Sequence, residues 1–143
     1  MRLPAAISSW WINISKPKPL GFLGERAAEK HLKRKGYKIV ARGLRSRGGG
    51  ELDLVAVDGR TVVFVEVKTR RSDQFGHPTE AIDLRKQSRM TRAAVSYLKR
   101  HGLLEYRSRF DVVAILWPSG VKRPKIEHYE SAFEAIGFDG LYR

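Results

Sequence analysis

Two strand-like runs, residues 51–57 and 60–68, are separated only by Asp58 and Gly59, and this arrangement restricts the fold more than any other feature. Asp-Gly is a preferred dipeptide for the two-residue type I′ turn, whose twist matches that of the flanking strands. Because side chains alternate along a strand, one apolar set is expected to share a face. This set contains Leu52, Leu54, Ala56, Val63, Val65 and Val67. The sequence therefore predicts an antiparallel β-hairpin.

Charged side chains gather at one end of the opposite face of this hairpin. With the two turn residues as the loop, Asp53 lies opposite Phe64 and Glu51 lies opposite Glu66. Strand alternation then places Glu51, Asp53, Glu66 and Lys68 on one face, and a register shift of two residues preserves this result. Neighbouring carboxylates on a sheet are destabilising unless a cation offsets their charge. The pattern therefore predicts a cation site at this end of the hairpin.

Asp53, Glu66 and Lys68 have the chemistry required for metal-assisted cleavage of a phosphodiester. Mg²⁺ accepts oxygen ligands from one or two carboxylates, together with water and phosphate, and a nearby ammonium group can position the attacking water. A simpler interpretation treats these residues as polar groups at an exposed hairpin end, with Lys68 neutralising Glu66. The context favours the nuclease-like interpretation, because twelve residues separate Asp53 from the Glu66-Val67-Lys68 triplet and the chain is strongly basic.

The excess of positive charge favours a polyanionic partner, since 28 Lys and Arg against 15 Asp and Glu give a formal charge of +13. Several basic residues are predicted to bind backbone phosphates: Arg42, Arg45, Arg47, Arg70, Arg71, Arg85, Lys86 and Arg89. Nothing in the chain resembles a helix-turn-helix, a zinc finger or an aromatic platform for single strands, so contacts to phosphate and DNA shape are expected more than base reading. The chain has no cysteine, which excludes disulfide frameworks and thiolate zinc sites.

The rest of the chain predicts alternating helices and strands. In chain order these are a helix over 21–35 ended by Gly36, a strand over 37–41, a basic loop over 42–50, a helix over 79–101, a strand over 109–117, a strand over 126–129 and a helical segment over 131–136. The 79–101 helix is expected to bury Ala81, Leu84, Ala94, Val95 and Leu98. Residues 1–20 are interpreted as a basic tail and 21–143 as a single domain. Because charges interrupt every apolar run, we expect a soluble, cytoplasmic protein with no membrane partner.

Five segments resemble the YraN family of small bacterial proteins over about residues 21–115. They are Gly24-Glu-Arg-Ala-Ala28, Gly50-Glu-Leu-Asp-Leu-Val55, Val63-Phe-Val-Glu-Val-Lys68, Phe75-Gly76 and Arg109-Phe-Asp-Val-Val113. That family is similar to the Holliday-junction-resolvase branch of the restriction-endonuclease-like superfamily. The resemblance implies an α/β fold in which helices flank a central mixed β-sheet, with the acidic site on the hairpin and a further acid on the first helix.

The resemblance also implies roles for individual residues. Asp53 and Glu66 become metal ligands and Lys68 the catalytic lysine. Glu25 becomes the helix-borne acid that completes the catalytic and metal site, although an acid in a first helical turn is also favoured by the helix macrodipole. Glu51 is a weaker candidate ligand, and Gln87 is a weak candidate for a polar helix residue of the site.

These observations lead to the hypothesis of a Mg²⁺-dependent endonuclease, with Mn²⁺ as a substitute, that acts on branched or irregular DNA. A junction substrate favours a homodimer, because symmetric cutting needs two matched centres. Two other classes stay open. One is a non-catalytic nucleic-acid-binding module that keeps the nuclease fold. The other is a basic adaptor that binds an acidic protein or ribosomal RNA.

Overall fold

Helices cover both faces of a five-stranded sheet in the computed structural model, which describes residues 19–74 and 76–136. The elements are α1 (Leu20–Arg34), β1 (Lys38–Arg45), β2 (Glu51–Asp58), β3 (Thr61–Arg70), a short 3-10 helix (Pro78–Ala81), α2 (Leu84–Arg100), β4 (Ser108–Leu116) and β5 (Lys125–Phe133). Phe75 and nearly all of the expected basic tail lie outside the described residues. None of the described helices is long and apolar enough to cross a membrane.

The strands follow chain order across the sheet, from β1 at one edge to β5 at the other. All neighbours are antiparallel except β3 and β4, which are parallel. Parallel neighbours require a crossover connection, and α2 lies within this one. The structure therefore confirms an α/β fold with a mixed sheet flanked by helices.

The sheet has a separate hydrophobic core on each face. On one face α2 packs over Phe64 and Phe110, and on the other α1 packs over Val65 and Val113. Strand β4 contributes side chains to both cores, as its nearly continuous apolar sequence predicts. The hairpin strands and β4 are thereby held on both sides.

The hairpin is confirmed, with its register shifted by two residues from the expected one. Asp58 pairs with Thr61, so the turn consists of Gly59 and Arg60 instead of Asp58 and Gly59. Gly59 has a φ of +60°, and a positive φ is what the primed turns require at the first loop position. A shift of two residues preserves which side chains share a face.

The second helix begins later than the sequence predicts. Residues 78–81 form a 3-10 turn, and the chain leaves helical geometry at Ile82 before α2 begins. Asp83 is the N-cap, and its carboxylate accepts a hydrogen bond of 2.8 Å from the Lys86 backbone N–H. Leu84 is consequently the first helical residue and is 70% exposed, and Ala81 in the 3-10 turn is exposed as well, so the expected burial of both residues is wrong.

Two other element boundaries also differ from expectation. Strand β1 continues through Arg45, which pairs with Glu51, so the expected loop over 42–50 shrinks to 46–50. Strand β5 extends to Phe133, and the expected helical segment over 131–136 is wrong. In both cases pairing with a neighbouring strand overrides the local sequence preference.

Candidate active site

Two motif glycines allow the acidic residues to approach the end of β3. A Cβ on Gly24 would lie 1.8 Å from Thr69 Oγ1, and a Cβ on Gly50 would lie 2.3 Å from the Arg89 carbonyl oxygen. Both distances are far shorter than a carbon atom permits, so only glycine fits either position without movement of its neighbour. Gly24 therefore brings α1, with the adjacent Glu25, against β3, and Gly50 brings the start of β2 against α2.

Asp53 lies where β2 and β3 separate. Their pairing ends at Leu54 and Val65, and beyond it the Val67 backbone N–H donates to Asp53 Oδ2 over 2.8 Å. Leu52 packs in the α2-side core, whereas Leu54 packs in the α1-side core, so the expected common face of these two residues is wrong. Because the strands part here, the side chain of Asp53 substitutes for a backbone acceptor and the regular alternation is interrupted.

Glu66 is a buried carboxylate shared by two lysines. Its side chain is 6% exposed, forms a short ion pair with Lys86, and has Lys68 Nζ 4.0 Å from its Oε1 atom. Burial and the charge of Asp53 raise the pKa of Glu66 to about 7, against the opposing influence of Lys86. The site therefore holds an acid that gives up its proton near neutral pH.

Glu25 contributes a third carboxylate, from α1. Burial, followed by the charges of Asp53 and Glu51, raises the pKa of Glu25. Because α1 begins at Leu20 and has no acid in its first turn, the macrodipole interpretation of Glu25 does not apply. The structure thus brings Glu25 within electrostatic range of both β2 carboxylates.

Lys68 is half-buried beside these acids. Burial, followed by the charge of Lys86, lowers the pKa of Lys68. Two ammonium groups that share one carboxylate repel each other, which makes loss of a proton from Lys68 easier than from an exposed lysine. Lys68 can therefore orient or activate a water molecule next to Glu66.

The carboxylates also fit a divalent cation. Among residues 19–74 and 76–136, no group of three or more His, Cys, Asp or Glu side chains is arranged to hold a metal ion by itself. Mg²⁺ typically takes only one or two protein carboxylates, with water and phosphate oxygens completing the shell. Asp53 and Glu66 are two such carboxylates, and the charge of Asp53 acts on both Glu66 and Glu25.

Arginines of α2, of the end of β1 and of the 46–50 loop continue from this site along one side of the molecule. Arg85 and Arg89 line a depression of about 330 Å³ together with Lys86 and Glu51. Arg45, Arg47 and Arg100 line a smaller depression of about 130 Å³, which the 3.8 Å ion pair of Arg45 with Glu51 links to the first. We call the strip formed by Arg45, Arg47, Arg85, Arg89 and Arg100 the basic groove. Its charge and its position beside Glu66 suit a phosphate backbone.

The other predicted phosphate-binding residues make contacts elsewhere in the structure. Arg42 forms a bidentate pair with the Glu29 carboxylate. Arg70 Nη1 donates to the Gly76 carbonyl over 3.5 Å, and Arg71 Nη1 donates to the Trp117 carbonyl over 3.1 Å. These three arginines therefore lie outside the basic groove.

The sequence predicts phosphate binding by Lys86 but not its contact with the buried Glu66 carboxylate. The informative signal is Asp83, the N-cap that fixes the start of α2 three residues before Lys86, and the Lys86 side chain reaches Glu66 on β3. Gln87, the weak candidate, donates from Nε2 to the Ile82 carbonyl over 3.0 Å. This bond stabilises the entry to α2, so Gln87 has a local structural role.

The Arg109-Phe-Asp motif lies on β4 in a buried polar network. Asp111 is fully buried and accepts hydrogen bonds from Arg109, from the Ser131 backbone N–H at 3.0 Å, and from His128 Nε2 at 2.7 Å. Ser131 has a positive φ of 49°, where the register between β4 and β5 shifts. The acid therefore stabilises an irregular sheet edge.

Comparison with known proteins places the chain in a family. The sequence model of UPF0102, described as an uncharacterised protein family, matches residues 24–115. A UPF0102 protein of Rhodopirellula baltica is 46% identical over 95% of this chain and 86% of its own length. UPF0102 proteins of Geobacter sulfurreducens and Geobacter metallireducens are 48% and 47% identical, each over 82% of this chain and over 90% and 93% of their own lengths. The YraN-like resemblance is thus confirmed, and the chain belongs to the UPF0102 family.

Proposed function

We propose that this protein is a metal-dependent endonuclease that hydrolyses phosphodiester bonds in branched or otherwise irregular DNA. The observation that carries the proposal is the buried Glu66 carboxylate, which has Lys68 and Lys86 beside it and is influenced by the charge of Asp53. If Glu66 were only a surface acid neutralised by Lys68, nothing would require its carboxylate to be buried. The mixed sheet with helices on both faces supports a relation to restriction-endonuclease-like proteins, by analogy of fold.

In this proposal Asp53 and Glu66 would hold the cation, with Glu25 contributing through the surrounding negative charge. When bound, Mg²⁺ or Mn²⁺ supplies Lewis-acid polarisation of the phosphate and lowers the pKa of a coordinated water. Hydrolysis joins the water oxygen to phosphorus and breaks one bond from phosphorus to a deoxyribose oxygen, which takes up a proton and leaves as an alcohol. Lys68 orients the attacking water toward phosphorus.

The basic groove would bind the DNA backbone that leads away from the scissile bond along α2. Guanidinium groups bind phosphate oxygens bidentately and fix the register of the DNA without reading its bases. This arrangement supports selection of DNA by shape instead of by sequence. Two copies of the chain would be required to cut a four-way junction symmetrically.

The test is a cleavage assay with the purified full chain on labelled four-way junctions, flaps, linear duplex and single strands. Each substrate is incubated with Mg²⁺, Mn²⁺ or EDTA. The proposal predicts new ends with either metal, none with EDTA, and none in Glu66→Gln. The matched control is Glu105→Gln, an exposed acid on the loop before β4, which should cut like the wild type.

The same assay separates the alternative functions. Tight, salt-sensitive DNA binding without cuts under every condition would contradict the nuclease proposal and support a non-catalytic nucleic-acid-binding module. Absence of binding to every DNA in the panel would favour the basic adaptor.

A further inference from the structure

A second cavity adjoins the candidate active site. It has a volume of about 310 Å³ and lies between the C-terminal part of β3, strands β4 and β5, and the described residues Ser72, Asp73, Gly76 and His77. Lys68 lines it, so the cavity and the acidic cluster share one wall. The volume is at the lower end of the range for small-molecule sites, about 300–1,000 Å³, which suits a single planar ring system better than a duplex.

The walls of this cavity combine aromatic, apolar and charged groups. The rings of His77 and Tyr129 meet edge to face with centroids 4.7 Å apart, and Ala114 and Leu116 lie among the sheet residues that line it. Lys125 is also part of the lining and pairs with a β5 carboxylate, Glu127, over 3.1 Å. Aromatic and apolar walls suit the face of a ring. The lining has three cations, Lys68, Arg70 and Lys125, against two acids, Asp73 and Glu127, and this excess of positive charge suits an attached phosphate.

We propose that this cavity binds the base of one unpaired nucleotide next to the phosphodiester at Asp53 and Glu66. A base inside a duplex is stacked and paired and cannot enter such a cavity, whereas a base at a bulge, gap or branch point can leave the stack at lower cost. The inference rests on the proposed function and deepens it, because it names the structural feature of DNA that the protein selects. The protein would select irregular DNA because such DNA can release a base from the helical stack into the cavity.

The test measures DNA affinity in EDTA, where no cleavage is expected. Fluorescence anisotropy compares a labelled duplex that has one unpaired adenine with the same duplex in which that nucleotide is abasic. Because stacking of a base on an aromatic side chain contributes about 1–3 kcal/mol, the wild type should bind the adenine duplex about tenfold more tightly. Because the basic groove contributes equally to the binding of both duplexes, the ratio of the two affinities does not depend on it.

Two variants test whether the cavity causes the difference in affinity between the two duplexes. His77→Asn removes the ring but keeps a side-chain oxygen that can accept a hydrogen bond from the Thr79 backbone N–H. In the wild type His77 Nδ1 accepts this bond. Tyr129→Leu removes the other ring. Each should reduce the ratio to about threefold or less. The control, His101→Asn, removes a ring at the end of α2 that lies 4.3 Å from another tyrosine ring, that of Tyr97, and should keep the wild-type ratio.

Equal wild-type affinity for the adenine and abasic duplexes would overturn the inference. An unchanged ratio in His77→Asn would overturn it as well, even if Tyr129→Leu fails to fold in a thermal melt. If metal-dependent cleavage is intact in either case, the proposed function survives and only the base site is lost. Absence of affinity for any DNA would instead contradict the proposed function itself.

Discussion

At the scale of single residues, the unusual feature is one buried carboxylate between two lysines. Glu66 is 5% exposed, yet its neighbours include Asp53, whose negative charge opposes its ionisation. Lys86 offsets this effect through a short ion pair. An arrangement of this kind costs stability, and such perturbed groups concentrate at functional sites. We therefore infer that the ammonium group of Lys86 compensates the negative charge of Glu66 when no metal cation is bound.

The raised pKa of Glu66 predicts a pH dependence of metal affinity. Because the pKa is about 7 without metal, Glu66 carries a proton below that pH, and metal binding must displace it. The affinity for Mn²⁺ should rise up to tenfold per pH unit from pH 6 to 7 and level off above about pH 8. Isothermal titration calorimetry across this range measures it. A flat profile, or the same profile in Glu66→Gln, would show that another group controls binding.

Lys68 is expected to act on the rate of cleavage and not on metal binding. Lys68→Met should lower the single-turnover cleavage rate about 10²- to 10³-fold, since it removes a donor aimed at the reacting groups. The Mn²⁺ affinity should change by less than about threefold, because Lys68 supplies no metal ligand. A variant that cuts at the wild-type rate would remove Lys68 from the mechanism.

At the scale of secondary-structure elements, close approaches between backbones position the site. Gly24 lets α1 contact β3 at Thr69, and Gly50 lets the start of β2 contact α2. The acids themselves sit one residue beyond the first glycine and one to three residues beyond the second. Small displacements of either element would therefore separate the carboxylates.

Gly24→Ala tests this positioning. The added Cβ would meet the Thr69 side chain at 1.8 Å, so we expect a loss of about 1–3 kcal/mol in the free energy of unfolding, together with weaker Mn²⁺ binding. The control is Gly21→Ala in the same helix, where nothing lies within 4 Å. That change should not destabilise the protein, because alanine is the better helix former and its Cβ meets no neighbour. Urea denaturation compares the two, and equal stability would contradict the account.

Most elements, and the closeness of Asp53 to Glu66, could be predicted from sequence because they depend on local patterns. Side-chain alternation and the Asp-Gly turn predict the hairpin. Because a shift of two residues leaves each side chain on the same face of a strand, the predicted faces tolerate the two-residue error in register. The packing of Leu52 could not be predicted, since it depends on where β2 and β3 separate. Lys86 was missed for a similar reason, because its contact with Glu66 depends on the exact start of α2 at the Asp83 cap.

At the scale of the whole molecule, the acidic site lies within a strongly basic chain. The formal charge is +13, and the basic groove begins beside Glu66 and continues along α2. Positive potential of this kind attracts DNA and keeps it near the carboxylates, which would otherwise repel phosphate. The acids and the arginines therefore have complementary functions in the proposed enzyme.

The basic groove should be visible in the salt dependence of DNA binding. The double variant Arg85→Ala/Arg89→Ala should reduce the slope of log affinity against log salt by about 2, one for each lost phosphate contact. Arg60→Ala, an exposed arginine at the hairpin turn, serves as the control and should leave the slope unchanged. Fluorescence anisotropy at several salt concentrations gives the slopes. Equal slopes in the double variant and the wild type would place the DNA elsewhere.

The central claim, that Asp53 and Glu66 support metal-dependent cleavage, is tested most directly by one single-turnover measurement. The wild type and Asp53→Asn are compared with Mg²⁺ on the best-cut substrate, with DNA affinity measured in parallel. We predict a rate at least about 10³-fold lower in Asp53→Asn, with DNA affinity within about threefold of the wild type. Cleavage at equal rates in both proteins would contradict the account.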